Sequence, residues 1–515
     1  MHPMTPAELN IFASRLDAVC DEMGLTLRNA AFSPNIRDRL DFSCAVFGAD
    51  GGLCAQAAHI PVHLGSMAFA MRDIVGRIAW SDGDQVVLND PYLGGTHLPD
   101  VTLIAPVFVD GRLCAFVVNR AHHADIGAAS PGSMPISSTL ADEGLVIEPV
   151  HLTRGGIRDD AVLQSIIGAT RNRTESLGDF SAQMAANRAG AKRLAALISA
   201  YASDAFFAAI AELNDYAERL ARTALAAIPA GTYRFSDQLD DDGQGHRNIP
   251  IVLTLHVGGD GGVDADFTGT AAQVPGNVNC PLAVAAAAVY YVFRCMMPVQ
   301  TPACDGAFRA ITLRAPEGSL LNARRPAAVA AGNVETSTRI VDVVLGALAQ
   351  AVPTRVPAAS HGSMNNLAMG SADPGAPWDY YETIGGGMGA GSEGGGVDGV
   401  QTHMTNTLNT PVEVLESRFP VRIERYALRR GSGGAGARKG GDGLVREFRF
   451  LRATHFTLLT ERRVHAPWGV DGGDDGAPGR NLLNGEPLPP KCERSAAAGD
   501  LLRIETPGGG GYGKP

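Results

Sequence analysis

Several features that would assign the chain to a common class are missing. No long lysine- or arginine-rich block interrupts a sequence of formal net charge -11, which argues against nucleic acid or an anionic membrane surface as a partner. No apolar run reaches the roughly 20 residues of a membrane-spanning helix; the most apolar segment, Leu282 to Phe293, is closed by Arg294. The start, MHPMTPAELN, has neither the basic nor the apolar region of a signal peptide, so a cytoplasmic location is expected. The eight cysteines are scattered with no CxxC pair, as reduced and mostly buried thiols of a cytosolic protein would be.

Catalytic signatures are absent too. There is no GxxxxGK[ST] phosphate loop. Gly431-Ser432-Gly433-Gly434-Ala435-Gly436 satisfies GxGxxG in letters, but Ala437-Arg438-Lys439-Gly440-Gly441 stands where the following helix should begin, so a turn is predicted. Ala390-Gly391-Ser392-Glu393-Gly394 only approximates GxSxG and lacks the strand-to-helix setting. His59-Ile60-Pro61-Val62-His63 places two histidines four apart, yet Pro61 lies between them and the glutamate of HExxH is missing.

What is present reads as a mixed α/β (α+β), multi-domain protein, with 515 residues available for it. Thr5-Pro6-Ala7-Glu8 is a capping box that opens an amphipathic helix extending to Gly24. Asp41 to Phe47 and Leu53 to Ala57 flank a turn-rich link and predict a hairpin, with Asp41 at its start. Gly178 to Ala227 predicts one very long helix or a helical hairpin. The Ile228-Pro229-Ala230-Gly231 break suggests two units, 1–228 carrying the candidate site and 229–515 an α+β domain. Strands are predicted at Gly231 to Leu239, Ile251 to Val257 and Asp264 to Thr268, and a buried helix at Leu282 to Met297. The glycine-rich stretches Gly385 to Gly399, Gly431 to Gly443 and Pro507 to Gly513 are predicted to be ordered loops of a β-rich region.

The chemistry concentrates between Asn89 and Gly127. Val101 to Val109 and Leu113 to Asn119 are apolar, β-branched-rich runs separated by Asp110-Gly111, a hairpin with a two-residue turn. With Val109 facing Arg112, an uninterrupted ladder sets Asp100 against Ala121 and gathers His97, Asp100, His122, His123 and Asp125 at the open end. Imidazoles and carboxylates without a thiolate suit a divalent ion such as Zn, Mn or Fe. Asp90 and Asp41 are further candidates, and His123 and Asp125 could instead stand behind the ligands as supporting or acid/base groups. The polar loop Ser130 to Glu143 is placed near this site as part of a substrate wall.

Asn89-Asp90-Pro91-Tyr92-Leu93-Gly94-Gly95-Thr96-His97-Leu98-Pro99-Asp100 and His122-His123-Ala124-Asp125-Ile126-Gly127 resemble the signature of the hydantoinase B/oxoprolinase family. Arg39-Leu40-Asp41-Phe42-Ser43, Asp266-Phe267-Thr268-Gly269-Thr270, Pro411-Val412-Glu413 and Thr506-Pro507-Gly508-Gly509-Gly510-Gly511-Tyr512-Gly513 extend the resemblance along the chain. Cys304 departs from it, since many members have asparagine there.

The resemblance implies a metal-bearing subunit of an ATP-dependent enzyme that opens hydantoin, oxoproline or lactam rings. The metal ligands it implies are Asp41, His97, Asp100 and His122. His123 or Asp125 would relay a proton and Asp90 would support a ligand. It further implies a hydantoinase A-like, actin-fold ATPase partner carrying ATP and Mg, in a hetero-oligomer with two copies of each subunit. Related members act as ketone carboxylases, and a non-catalytic scaffold subunit is the third reading.

Overall fold

The structure, a computed structural model, describes residues 4–57, 60–63, 65–371, 373 and 377–514. His59 of the paired-histidine motif therefore lies outside the described residues. The first helix, α1 (Pro6–Ala30), opens on the capping box, with the Thr5 side chain accepting from the Glu8 backbone N–H and Glu8 answering to Thr5. It continues past the predicted stop at Gly24, because Met23, Gly24 and Leu27 keep one stripe buried. That burial outweighs the roughly 1 kcal/mol that glycine costs in a helix.

A short helix, α2 (Pro34–Arg37), leads into the sheet that carries the site. Its strands are β1 (Phe42–Gly48), β2 (Leu53–Gln56), β3 (Gln85–Leu88), β4 (Asp100–Val109), β5 (Arg112–His122), β6 (Val150–Arg154) and β7 (Ile157–Arg158). They are ordered β2-β1-β5-β4-β3-β6-β7. Both predicted hairpins are present, β1 with β2 and β4 with β5, each antiparallel. The apolar runs are near-continuous because both faces are covered. Ala45, Phe47, Ile104, Phe116 and Val118 pack toward α3 (Ser66–Ile74), while Val46, Ala105, Val107 and Val117 join the core beneath α1.

After the sheet come α4 (Asp160–Gly168), α5 (Arg173–Tyr201) and α6 (Ser203–Leu225). α5 and α6 are neither one straight rod nor an antiparallel hairpin: they meet at a bend of 99°. Ala202 makes that corner with a φ of 63°. α5 lies across β4 and β5, where Gln183 and Asn187 reach down to the Val101 and Leu103 carbonyls. No single helix among the described residues is long and apolar enough to cross a membrane.

The later half adds a four-stranded sheet containing Gly231–Asp241, Arg247–Val257 and Val263–Asp266, covered by α7 (Leu282–Met296) and α8 (Ser337–Ala349). A single π-helical turn, Gly332–Thr336, feeds into α8. The largest apolar core runs from Phe12 and Val46 through Leu213 and Ile251 to Val341 and Met404. It is thus continuous across the 228–231 break. Two further sheets follow, one of four strands including Asn366–Ser371 and Trp378–Glu382, the other of five. The glycine stretches are ordered and interleaved. Gly441 donates to the Met388 carbonyl and Gly509 to the Gly441 carbonyl, and a Cβ on Gly387 would lie 1.9 Å from Gly441 O. Only glycine permits backbones that close.

Candidate metal centre

The open ends of β1, β4 and β5 meet at one edge of the sheet. The ladder between β4 and β5 starts as predicted, Val109 facing Arg112, but slips by one between Val107 and Phe108 because Cys114 is an extra residue on β5. Asp100 consequently faces His122 rather than Ala121. A one-residue bulge of this kind re-aims every side chain beyond it. β1 adds the third wall: the His122 N–H donates to the Asp41 carbonyl at 3.0 Å. His97 arrives on the loop before β4, which Asn89 anchors by donating to the Leu98 and Leu145 carbonyls.

The result is a triangle of donor atoms. His97 Nε2 lies 3.2 Å from His122 Nδ1 and 3.2 Å from Asp100 Oδ1, and His122 Nδ1 lies 3.1 Å from the same oxygen. Ligands held at roughly 2.0–2.2 Å from one ion, at octahedral or tetrahedral angles, stand about 3.0–3.5 Å apart. The three residues are at most 2% exposed. His97 Nδ1 faces the Ala330 carbonyl at 3.2 Å. A carbonyl only accepts, so Nδ1 carries the proton and the Nε2 lone pair points inward. Two His and one Asp thus converge on one buried point, a donor set of the kind that holds a divalent transition metal.

Asp100 sets the charges around the triangle. Burial pushes the Asp100 carboxyl up, but His97, His122 and His63 outweigh it and hold it well below the usual carboxylate range. For His97, burial pulls the imidazole down while Asp100 more than offsets it, so the group ends raised. Burial lowers His122 and keeps it neutral.

Around the triangle is a small cavity of about 20 Å³ lined by Asp41, His63, Asn333, Tyr381 and apolar side chains including Val62 and Met404. Asp41 faces this cavity with Arg39 Nη2 3.9 Å from its Oδ2. His63 is the second histidine of the motif that Pro61 interrupts. It bridges Ser43 Oγ at 2.8 Å and Asp100 Oδ2 at 3.3 Å, and Thr96 donates to the same carboxylate oxygen. The Tyr381 ring stacks on His122 at 4.7 Å.

The structure does not bring the other expected residues to the cavity. His123 Nε2 pairs with Gln183 Oε1 at 2.9 Å and its ring lies against Phe180. Asp125 accepts from the Gly127 N–H at 2.8 Å and pairs with Arg171. Asp90 caps the turn at Tyr92 and holds Arg325. The departure of the chain from β5 after His122 takes His123 and Asp125 away from the triangle, and Asp90 is held on the turn after β3. Ser130 to Glu143 is also not a cavity wall: Glu143 accepts the Val329 and Ala330 N–H groups at 2.8 Å each, bracing the segment that holds His97. Asn333 and Tyr381 escape a reading of the sequence, since each reaches the site from more than 200 residues away and stands in no local motif.

The family model described as Hydantoinase B/oxoprolinase matches residues 5–515. The chain is 40% identical over 537 residues to 5-oxoprolinase 1 of Arabidopsis thaliana, a match taking in 98% of this chain and 42% of that protein. It thus spans about two fifths of that relative's length. It is 32% identical to a putative D-/L-hydantoinase subunit of Pseudomonas sp. strain NS671, over 99% of this chain and 90% of that one. The crystal structure of an ATP-dependent caprolactamase from Pseudomonas jessenii superposes with a TM-score of 0.92 at 29% identity, covering 99% of this chain and 92% of that one. A nucleotide-free acetone carboxylase shares the fold, with a TM-score of 0.89 at 18% identity over 99% of this chain and 76% of that one.

Proposed function

The chain belongs to the hydantoinase B/oxoprolinase family, and on that premise we propose that it is the hydrolytic subunit of an ATP-dependent enzyme that opens a cyclic amide. The observation that carries this reading is the buried convergence of His97, Asp100 and His122. Asp41, on the wall of the same cavity, would complete the set that holds Zn, Mn or Fe. A divalent ion there supplies Lewis acidity and lowers the pKa of water toward neutrality.

The chain's own residues prepare that chemistry. The Asp100 carboxylate stays ionised, and the Ala330 carbonyl keeps the His97 proton on Nδ1. Val62, Val334, Met364 and Met404 line the cavity with apolar surface and limit the water that can compete. Tyr381 backs the His122 ring and holds its plane. His123, Asp125 and Asp90 serve in this reading as supports, tying the loops around His122 and His97 to α5, Arg171 and Arg325.

An unstrained amide is a poor electrophile, which is why ATP is needed. The partner in this reading is a hydantoinase A-like ATPase of actin fold that carries ATP and Mg and activates the ring carbonyl by phosphorylation. The assembly would hold two copies of each subunit. The test is the His97→Ala variant in the co-expressed complex. Loss of bound metal and of ring opening, with nucleotide binding by the partner intact, is expected. Retained metal and turnover would sink the assignment, incorporation of labelled bicarbonate into a ketone would make the complex a carboxylase, and full activity without metal would leave this chain a scaffold.

A further inference from the structure

Asn333 sits on the π-helical turn Gly332–Thr336, a backbone form concentrated at functional sites. It is 4% exposed and lines the cavity beside the triangle. Its amide is held at one end only. Nδ2 lies 3.2 Å from His97 Nε2 and 3.4 Å from Asp100 Oδ2. Oδ2 is not a corner of the triangle, whose carboxylate atom is Oδ1. The bond from Nδ2 to Asp100 Oδ2 therefore survives when the inward lone pairs are committed to a cation, and the amide keeps its orientation. Its other end, Oδ1, is buried without a hydrogen-bond partner.

A buried carbonyl oxygen without a donor is a standing penalty, and such groups in folded proteins usually await a ligand or a water. The remaining cavity walls offer little that could donate to it. Ile60, Val62, Val334, Met364 and Met404 are apolar, the Tyr381 hydroxyl is already given to Asn366 Oδ1 at 2.7 Å, the Thr383 and Thr405 hydroxyls pair with that of Thr407, and the His63 ring is taken by Ser43 and Asp100. The missing partner is thus a donor from outside the chain, a water that the substrate displaces. A cyclic amide carries such a donor next to its reacting carbon, the ring N–H, which phosphorylation of the carbonyl oxygen turns into the N–H of a protonated imidate. A ketone has none, and neither has a lactone or an N-alkylated lactam.

We infer that Asn333 Oδ1 accepts the ring N–H of the substrate and selects unsubstituted cyclic amides over ketones and N-alkyl rings, an inference that rests on the function proposed above. A site built to hydrogen-bond a substrate N–H rejects an analogue lacking it more strongly than an apolar pocket rejects a change of size. Asn333 is then a residue that touches substrate through Oδ1 and supports Asp100 through Nδ2.

The test uses the full complex with its ATPase partner and a panel of ε-caprolactam, 2-pyrrolidinone and hydantoin, each against its N-methyl counterpart. The wild-type complex is expected to prefer the N–H ring. In Asn333→Ala, assayed at saturating metal, the preference is expected to fall by about 10- to 100-fold, because N–H turnover falls by more than N-methyl turnover. The partner is common to both assays, so any selectivity it exerts cancels. Where an N-methyl ring is not turned over, the same ratio is read from dissociation constants measured by ligand-observed NMR on the metal-loaded chain. An unchanged ratio in Asn333→Ala overturns the inference while leaving the proposed function standing. Failure of the wild-type complex to bind or open any N–H ring overturns both.

Discussion

Asp100 and His122 are direct partners across the β4–β5 ladder, and their side chains meet at 3.1 Å only because Cys114 adds one residue to β5 far from either of them. Asp100 is also the group on which the site depends most, since His97, His122, His63, Thr96 and Asn333 all reach its carboxylate. Asp100→Asn keeps the shape and removes the charge. It is expected to weaken divalent-metal binding by at least about 100-fold, since loss of a mere supporting partner already costs 10- to 100-fold. Chelator competition followed by elemental analysis reads this directly, and metal retained at wild-type affinity would contradict the ligand assignment.

His123→Ala separates a neighbour of the site from a member of it. Its imidazole bonds Gln183, which in turn reaches the Val101 carbonyl and Asn119. Removing the ring leaves Gln183 Oε1 without that partner and opens space beside Phe180. A loss of roughly 1–3 kcal/mol in unfolding free energy is expected, with metal content unchanged. Denaturant unfolding and metal analysis of the same preparation check both halves, and loss of metal without loss of stability would return His123 to the ligand shell.

Local signals are legible in the sequence and long-range ones are not. The Thr5 to Glu8 capping box, the Asp110-Gly111 turn and the histidine-aspartate cluster each have their cause within a few residues, so pattern alone locates them. The slip at Cys114 leaves no mark, because a bulge of this type needs no glycine and Cys114 reads as an ordinary strand residue. Ala202 likewise turns the α5–α6 corner at a φ of 63° where no glycine or proline announces it. Asn333 and Tyr381 are placed by packing of the π-turn and of Trp378–Glu382 against the first sheet, which only the folded chain defines. His63 has a signal, the paired-histidine motif, but the spacing of that motif matters for zinc on a helix and Pro61–His63 is instead a 3-10 turn.

Glu143 gives the chain a pH dependence. Burial, the largest influence, pushes its carboxyl from 4.5 up to about 7, although the Ala330 and Val329 N–H groups and Ser137 favour the charged form. The folded state therefore binds this proton more tightly than the unfolded state. The contribution is fully present below about pH 4.5 and is lost as pH rises toward 7, an amount of roughly 3 kcal/mol. Glu143→Gln keeps an acceptor for the two N–H groups and cannot ionise. Its unfolding free energy, measured in urea at pH 4.5 and at pH 7.5, should fall less with pH than that of the wild type by about that amount. Parallel pH profiles would show that Glu143 is not the group responsible.

Gly332 ties the fold to the site through one atom that is absent. A Cβ there would lie 1.9 Å from the Asn279 carbonyl oxygen, and the Gly332 N–H is itself committed to the Asn277 and Val329 carbonyls. Backbone faces backbone, so no side-chain rotation relieves the contact. Gly332→Ala must displace the start of the π-turn, and Asn333 is the next residue. A loss of about 2–4 kcal/mol in stability is expected from the overpacking. The informative measurement is made at a temperature where the variant remains folded by circular dichroism: at saturating metal, the preference for the N–H ring should fall as it does in Asn333→Ala, while the site still fills with metal because His97, Asp100 and His122 hang on other strands and loops. Loss of metal in the folded variant would mean that the π-turn holds the ligand triangle itself.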